Sequence, residues 1–180
     1  MPEVAIRPSF KTDYPVLRGI DGFYQTSRVW QMERLFDEGQ FSIFFREVRL
    51  PRPVKVDYPR SHDAIFEEKQ LEDTVVLVAS LANIPVGFVR IAPTMSPRTA
   101  WVHDLIVRED TRSRGVGTAL VVGAQEWALE RGYRRMTIEM QSKNYPAISL
   151  VRKLGYELSG YNDQYYMNQD IAVFFTRWLR

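Results

Sequence analysis

The chain has 180 residues, of which 45% are hydrophobic and 26% charged; its formal net charge is +2 and it contains no cysteine. These are the size and composition of one soluble globular domain with a real core, and the near-neutral charge argues against a dedicated nucleic-acid binder. The missing cysteines exclude disulfides, thiolate metal sites and a cysteine nucleophile, and two histidines alone make a metal site unexpected. No apolar run reaches membrane-spanning length, and the first ten residues, with Glu3, lack the apolar stretch of a signal peptide, so a cytoplasmic protein is expected.

In chain order, Glu3 to Arg7 reads as a first strand ended by Pro8, followed by a helix capped at Thr12 or Asp13 and running to about Ile20. Ser27 is positioned to cap a second helix through Arg34, Leu35 and Phe36, with Trp30 on its apolar side and Gly39 past its end. Phe41 to Leu50 reads as a strand broken by Pro51 and Pro53. Val54 to Glu68 has the pattern of a loop with one helical turn, and His62 there reads as solvent-exposed. Thr74 to Leu81, Val86 to Ala92 and Trp101 to Val107 read as three consecutive strands of an antiparallel meander, with turns at Ala82 to Pro85 and at Pro93 to Pro97. Beyond lie a helix over Thr118 to Arg131, a strand over Arg134 to Gln141 and a helix over Asn144 to Leu154. Glu157 to Ser159 begins a strand, Gly160 to Asp163 turns, and Ile171 to Trp178 closes the sheet.

The segment from Trp101 to Gly117 carries the chemistry. Its strand ends in Leu105-Ile106-Val107, and Arg112-Ser113-Arg114-Gly115-Val116-Gly117 opens the next helix. Unpaired backbone N–H groups at a helix N-terminus, with glycines that let a ligand approach, form a site for phosphate or pyrophosphate. The spacing is neither that of an ATP P-loop nor that of a dinucleotide fingerprint. On its own the loop is equally compatible with an ordinary strand-to-helix turn. The charge is also uneven: residues 1–73 carry 11 basic and 13 acidic side chains, and residues 74–180 carry 13 and 9. That split suits an anionic cofactor on the second part and a cationic acceptor facing the first.

The pattern R-x-x-G-x-G from Arg112 to Gly117 resembles the acetyl-CoA loop of the GNAT superfamily of N-acetyltransferases. The stretch from Asn144 through Ala147, Leu150 and Lys153 to Gly155-Tyr156 is similar to that superfamily's second signature, N-x-x-A-x-x-L-x-x-K-x-G-[FY]. Within it, the chain looks most like the streptothricin acetyltransferase group, on His103 to Val107, GVGTALVVGAQEWA, IEMQ, LGYELSGYNDQYY, IAVFF and REVRLPRPVKVDY.

The resemblance implies an α/β fold: a mixed, mostly antiparallel sheet of about seven strands flanked by helices and split where acetyl-CoA binds. It implies one N-acetyltransferase domain over residues 1–180, with acceptor-side helices and a linker in 1–73 and an acetyl-CoA-binding core in 74–180. Acetyl-CoA is the implied cosubstrate, with no metal. Backbone groups of Leu105 and Val107 would pair with the pantetheine arm and the acetyl carbonyl, and Ile106 between them counts among the cofactor-binding residues. Ser113, Arg114, Gly115, Val116, Gly117 and Thr118 would hold the pyrophosphate, bracketed by Arg112 and Arg114, and Asn144 and Ala147 would meet the arm.

A small-molecule amine is the implied acceptor, first a polycationic antibiotic of the streptothricin type, then a protein lysine, N-terminus or polyamine. Neither nucleic acid nor membrane is an expected partner, and the C-terminal strand suggests a homodimer by edge pairing. Strand alternation puts Trp101, His103 and Leu105 on one face and Val102, Asp104 and Ile106 on the other. His103 is the first candidate for the catalytic base, because imidazole titrates near neutrality; Asp104 and Glu139 follow. Members of the superfamily commonly carry a tyrosine after the position of Leu150 to protonate the departing thiolate; here that residue is Val151, with Tyr145 and Tyr156 as substitutes. The departure keeps open a CoA-binding sensor without turnover, and the loop alone a nucleotide binder.

Overall fold

The computed structural model describes residues 3–94 and 96–180. The chain runs β1 (Val4–Pro8), a 3-10 turn and α1 (Tyr14–Arg18), then β2 (Tyr24–Asp37) and β3 (Gln40–Val56). Short α2 (His62–Ile65) and α3 (Glu68–Leu71) lead into β4 (Val75–Leu81), β5 (Ile84–Pro93) and β6 (Thr99–Val107). Then come α4 (Val116–Glu130), β7 (Arg135–Gln141), α5 (Tyr145–Lys153), β8 (Glu157–Asn162) and β9 (Ala172–Trp178). Seven strands form one sheet in the order β1-β4-β5-β6-β7-β9-β8, and β2 pairs β3 separately. Only β6 and β7 run parallel, and α4 makes the crossover that such a pair needs.

Each face of this sheet buries its own core. On one, α4 sets Val116, Leu120, Val121, Ala124 and Ala128 against Leu77, Val89, Ile91 and Val102, and α5 sets Ile148 and Val151 against Ile138 and Phe175. α4 lies close enough to β1 that a Cβ at Gly123 would stand 2.7 Å from Ile6 Cγ2. On the other face Leu17, Ile20, Ile65 and Phe66 cover only Val76, Val78, Phe88 and Ile106.

Two sequence expectations fail between residues 24 and 56. The helix expected over Ser27 to Phe36 is strand β2, joined to β3 by a two-residue turn in which Glu38 and Gly39 both have positive φ. Gly39 is thus a hairpin glycine and not a helix stop. The strand also continues through Pro51 and Pro53. Arg28 pairs Arg49 while Thr26 pairs Val54, so both prolines sit in an irregular stretch opposite Ser27, where no ladder N–H is required. Where helices and a linker were expected in residues 1–73, the chain thus forms the β2–β3 hairpin with the short α1, α2 and α3. The hairpin is fastened by Trp30, whose backbone N–H donates to Ser142 O and whose ring meets Phe175. β8 continues to Asn162, past the turn expected from Gly160. The turn expected at Pro93 to Pro97 includes Met95, outside the described residues.

Candidate active site

β6 and β7 pair only from Thr99↔Arg135 to Val102↔Ile138, although both strands continue. Beyond that point the sheet is split. Arg108 N–H donates to Val86 O on the β5 side, and antiparallel alternation then turns the backbone groups of Leu105 and Val107 toward the split.

A cleft of about 640 Å³ fills the opening. Its walls include Leu105, Ile106, Val107, Arg112, Ser113, Gly115, Gly117, Thr118, Asn144 and Ala147. Phe23, Tyr24 and Tyr58, from outside the sequence motifs, line it as well. Gly115 has φ +85° and precedes α4 without a side-chain cap, so the first N–H groups of a 15-residue helix remain available to an anion. Arg114 is exposed and does not line the cleft; Val116 is in the core. Arg112 is engaged rather than free: its Nε donates to Val107 O (2.7 Å) and its Nη2 to Asp21 O (3.1 Å). Asn144 Oδ1 caps α5 by accepting from Ala147 N–H, which leaves only its amide nitrogen for a ligand.

The three expected acid–base residues meet at the root of the split. A bulge in the β5–β6 pairing, Arg90↔Asp104 followed by Ile91↔Val102, leaves His103 as the extra residue. It shifts the side-chain parity of the strand: Val102 packs in one core and Ile106 in the other. The strict alternation read from sequence therefore breaks, and Trp101, His103 and Asp104 all reach one charged cluster. Glu139 Oε2 accepts from Trp101 Nε1 (2.6 Å) and Tyr165 OH (3.2 Å), and lies 3.1 Å from His103 Nδ1; Oε1 takes Arg60 Nη2. Asp104 accepts from Tyr58 OH (2.8 Å), Arg60 Nη1 (3.2 Å) and Arg90 Nε (2.6 Å). Arg60 also donates to His103 O.

Burial pushes the Glu139 carboxyl up, but the hydrogen bond from His103 and the Arg60 charge outweigh it and hold it below the usual carboxylate range. Burial works against the charge on Arg60, yet Asp104 and Glu139 beside it raise its affinity for its proton. Glu139, as an ionised acceptor, favours the neutral tautomer of His103 with its hydrogen on Nδ1, the form in which Nε2 carries the lone pair. Asp104 has no such freedom, its oxygens being taken by two guanidiniums and a phenol.

Val151 is fully buried. Tyr156 is buried with its hydroxyl on Gln125, and Tyr145 stands against Arg28, so neither lines the cleft. Tyr24 does, its hydroxyl donating to Gln141. The sequence reading missed Arg60, Arg90 and Tyr58. Arg90 was detectable, being a lone charge in an apolar strand, as Asp104 is in β6. Arg60 has no local signal, because its partners lie 43 to 79 residues away.

A split sheet with an uncapped helix N-terminus at one end of the opening and a buffered acid–base cluster at the other defines an acyltransferase of the N-acetyltransferase class. The chain belongs to the Acetyltransferase (GNAT) family, whose profile matches residues 32–156. It is 25% identical over 159 residues to the streptothricin acetyltransferase of Streptomyces lavendulae, covering 86% of this chain and 82% of that one. The crystal structure of a nourseothricin acetyltransferase superposes with a TM-score of 0.81 at 25% identity over 98% of this chain and 99% of that chain. A Bacillus anthracis protein solved in complex with acetyl coenzyme A gives 0.74 at 19% identity, over 98% and 99%.

Proposed function

We propose that this protein transfers the acetyl group of acetyl-CoA to the primary amine of a small cationic molecule by direct attack. The observation that carries this reading is the His103–Glu139 pair at the root of the split, where Glu139 lines a small cavity that shares Tyr58, Leu105, Asn144 and Ala147 with the cleft. The N–H groups from Ser113 to Thr118 receive the pyrophosphate, and the edge of Leu105 and Val107 that β7 leaves unpaired meets the pantetheine arm as a missing strand would. Binding of acetyl-CoA to the Bacillus anthracis protein of the same fold supports this assignment, and the names of the relatives support a streptothricin-like acceptor.

His103 Nε2 takes the proton of the attacking ammonium, so that a neutral nitrogen meets the thioester carbonyl. Glu139 holds the ring in the required tautomer and stabilises the imidazolium that forms. Arg60 keeps Glu139 ionised and joins it to Asp104 across the split. The thiolate is only weakly basic and a good enough leaving group to depart without a positioned acid, and the second proton, shed by the nitrogen as the amide forms, neutralises it, so Val151 is compatible with turnover.

The test is release of CoA thiol from acetyl-CoA with streptothricin, aminoglycosides, polyamines and lysine peptides. Turnover on one of these classes is expected. His103→Ala should lower kcat about 10²-fold or more while acetyl-CoA still binds. Binding without turnover on any amine would leave a CoA-binding module, and failure to bind acetyl-CoA would remove the assignment of the loop.

A further inference from the structure

α1, α2 and α3 cover only β4, β5 and the end of β6, while α4 and α5 lie against the opposite face of the sheet. Among the described residues, no helix covers the remaining half of the first face, formed by β7, β9 and β8. Cross-strand pairs set its side chains in rows: Glu139 with Phe174, Thr137 with Thr176, and Arg135 with Trp178.

The rows differ in chemistry. Nearest the split, Trp101 packs edge-on against Phe174 (5.0 Å), and Tyr165 packs against the same ring (5.9 Å), with Glu139 between them. In the middle, three hydroxyls touch in series: Thr137 Oγ1 to Thr176 Oγ1 (2.8 Å) and Thr176 Oγ1 to Ser159 Oγ (2.7 Å). Glu157 pairs with Thr176 at the edge. At the far end the Trp178 indole, 65% exposed, is braced by the Arg135 guanidinium 5.2 Å from its centre. From Glu139 to Arg135 is four residues of strand, about 13 Å.

We infer that this uncovered face is the acceptor subsite, and that it takes an extended amine dense in hydrogen-bonding groups, of amino-sugar type, with its far end on Trp178. The inference rests on the acetyltransferase reading of the His103–Glu139 site. The face is continuous with that site, because Trp101 donates to Glu139 and packs edge-on against Phe174 within the same row. Its hydroxyls are held by one another and, at Ser159, by Phe174 O, which leaves lone pairs on Thr176 and Ser159 for the donors of a ligand. Flat aromatic faces at both ends suit the C–H faces of a ring, and Glu157 at the edge offers a counter-charge to a second ammonium. Thr137 is buried and anchors the row from below; Thr176 and Ser159 are the groups a ligand reaches.

The test compares streptothricin and kanamycin, as extended polar amines, with lysine amide as a short one, in the intact protein with acetyl-CoA. Trp178→Ala and the nearly isosteric Thr176→Val should lower kcat/KM for the extended amines about tenfold more than for lysine amide, chiefly through KM. A direct titration of both extended amines, followed by Trp fluorescence and heat, reads binding whether or not turnover occurs, so a failure of the acetyltransferase reading remains distinguishable. Equal effects on long and short amines, or no binding of either extended amine to the unaltered protein, would overturn the inference. So would loss of a dimer in Trp178→Ala, which would assign the face to a second copy of the chain.

Discussion

At the scale of single residues, the candidate site is a balance of buried charges, and the balance makes predictions. Arg60 is shared by Asp104 and Glu139, whose carboxylates have no exposed surface. Arg60→Ala removes the cation between them, and breaking a buried pair on one side costs about 3–5 kcal/mol. Urea unfolding should show that loss, which a surface Arg→Ala change such as Arg46→Ala should not. Glu139 binds its proton less tightly folded than unfolded, so it contributes stability that is present above its ordinary value of 4.5 and lost as the pH falls through the lower folded value. Glu139→Gln should therefore flatten the decline of stability below about pH 4.5 while lowering kcat, since an amide oxygen neither fixes the His103 ring as firmly nor stabilises its cation. Thermal melts across pH 3 to 6 would read the first effect and steady-state rates the second.

Among the elements, the contact between α4 and β1 is close enough for a substitution to probe. Gly123→Ala gains helix propensity of roughly 0.5–1 kcal/mol but drives a methyl into Ile6, a cost of about 1–3 kcal/mol. The variant should be less stable than the parent, and Ile6→Val should recover part of the loss, a non-additivity that denaturant titration of the double variant would measure. The sheet and its helices were legible because their signals are local. Val75 to Val78 form an apolar run, Leu120, Val121, Ala124 and Ala128 keep helical spacing, and Gly115 and Asn144 stand where caps belong. The hairpin was not, because Trp30, Arg34 and Phe36 imitate a helix stripe, and only pairing with β3 decides between the two. The three acid–base candidates, His103, Asp104 and Glu139, were picked out by residue type. That the three meet depends on one extra residue in β6, and a bulge is specified by register with β5, which is not written in β6 itself. The cation that binds the trio together comes from the stretch with the weakest pattern in the chain.

For the whole molecule, the open half of β6 and β7 gives a binding-linked prediction. A ligand that enters the folded state alone stabilises it by about 2.7 kcal/mol at a hundredfold excess over its Kd. Acetyl-CoA should raise the melting temperature accordingly, ATP or NAD should not, and Gly115→Val should abolish the rise, because it forces a branched side chain into a positive-φ position at the mouth of the cleft. The sheet order also means that β6 and β7 are joined at one end and apart at the other. In the free protein the inner edges of the two strands leave amide hydrogens open to solvent in the middle of a sheet whose other strands are paired. Leu105 and Val107 should thus trade their amide deuterons quickly although their flanking residues do so slowly, and the split should behave as a seam, zipped shut in the time course of hydrogen exchange only when an extended ligand lies in it.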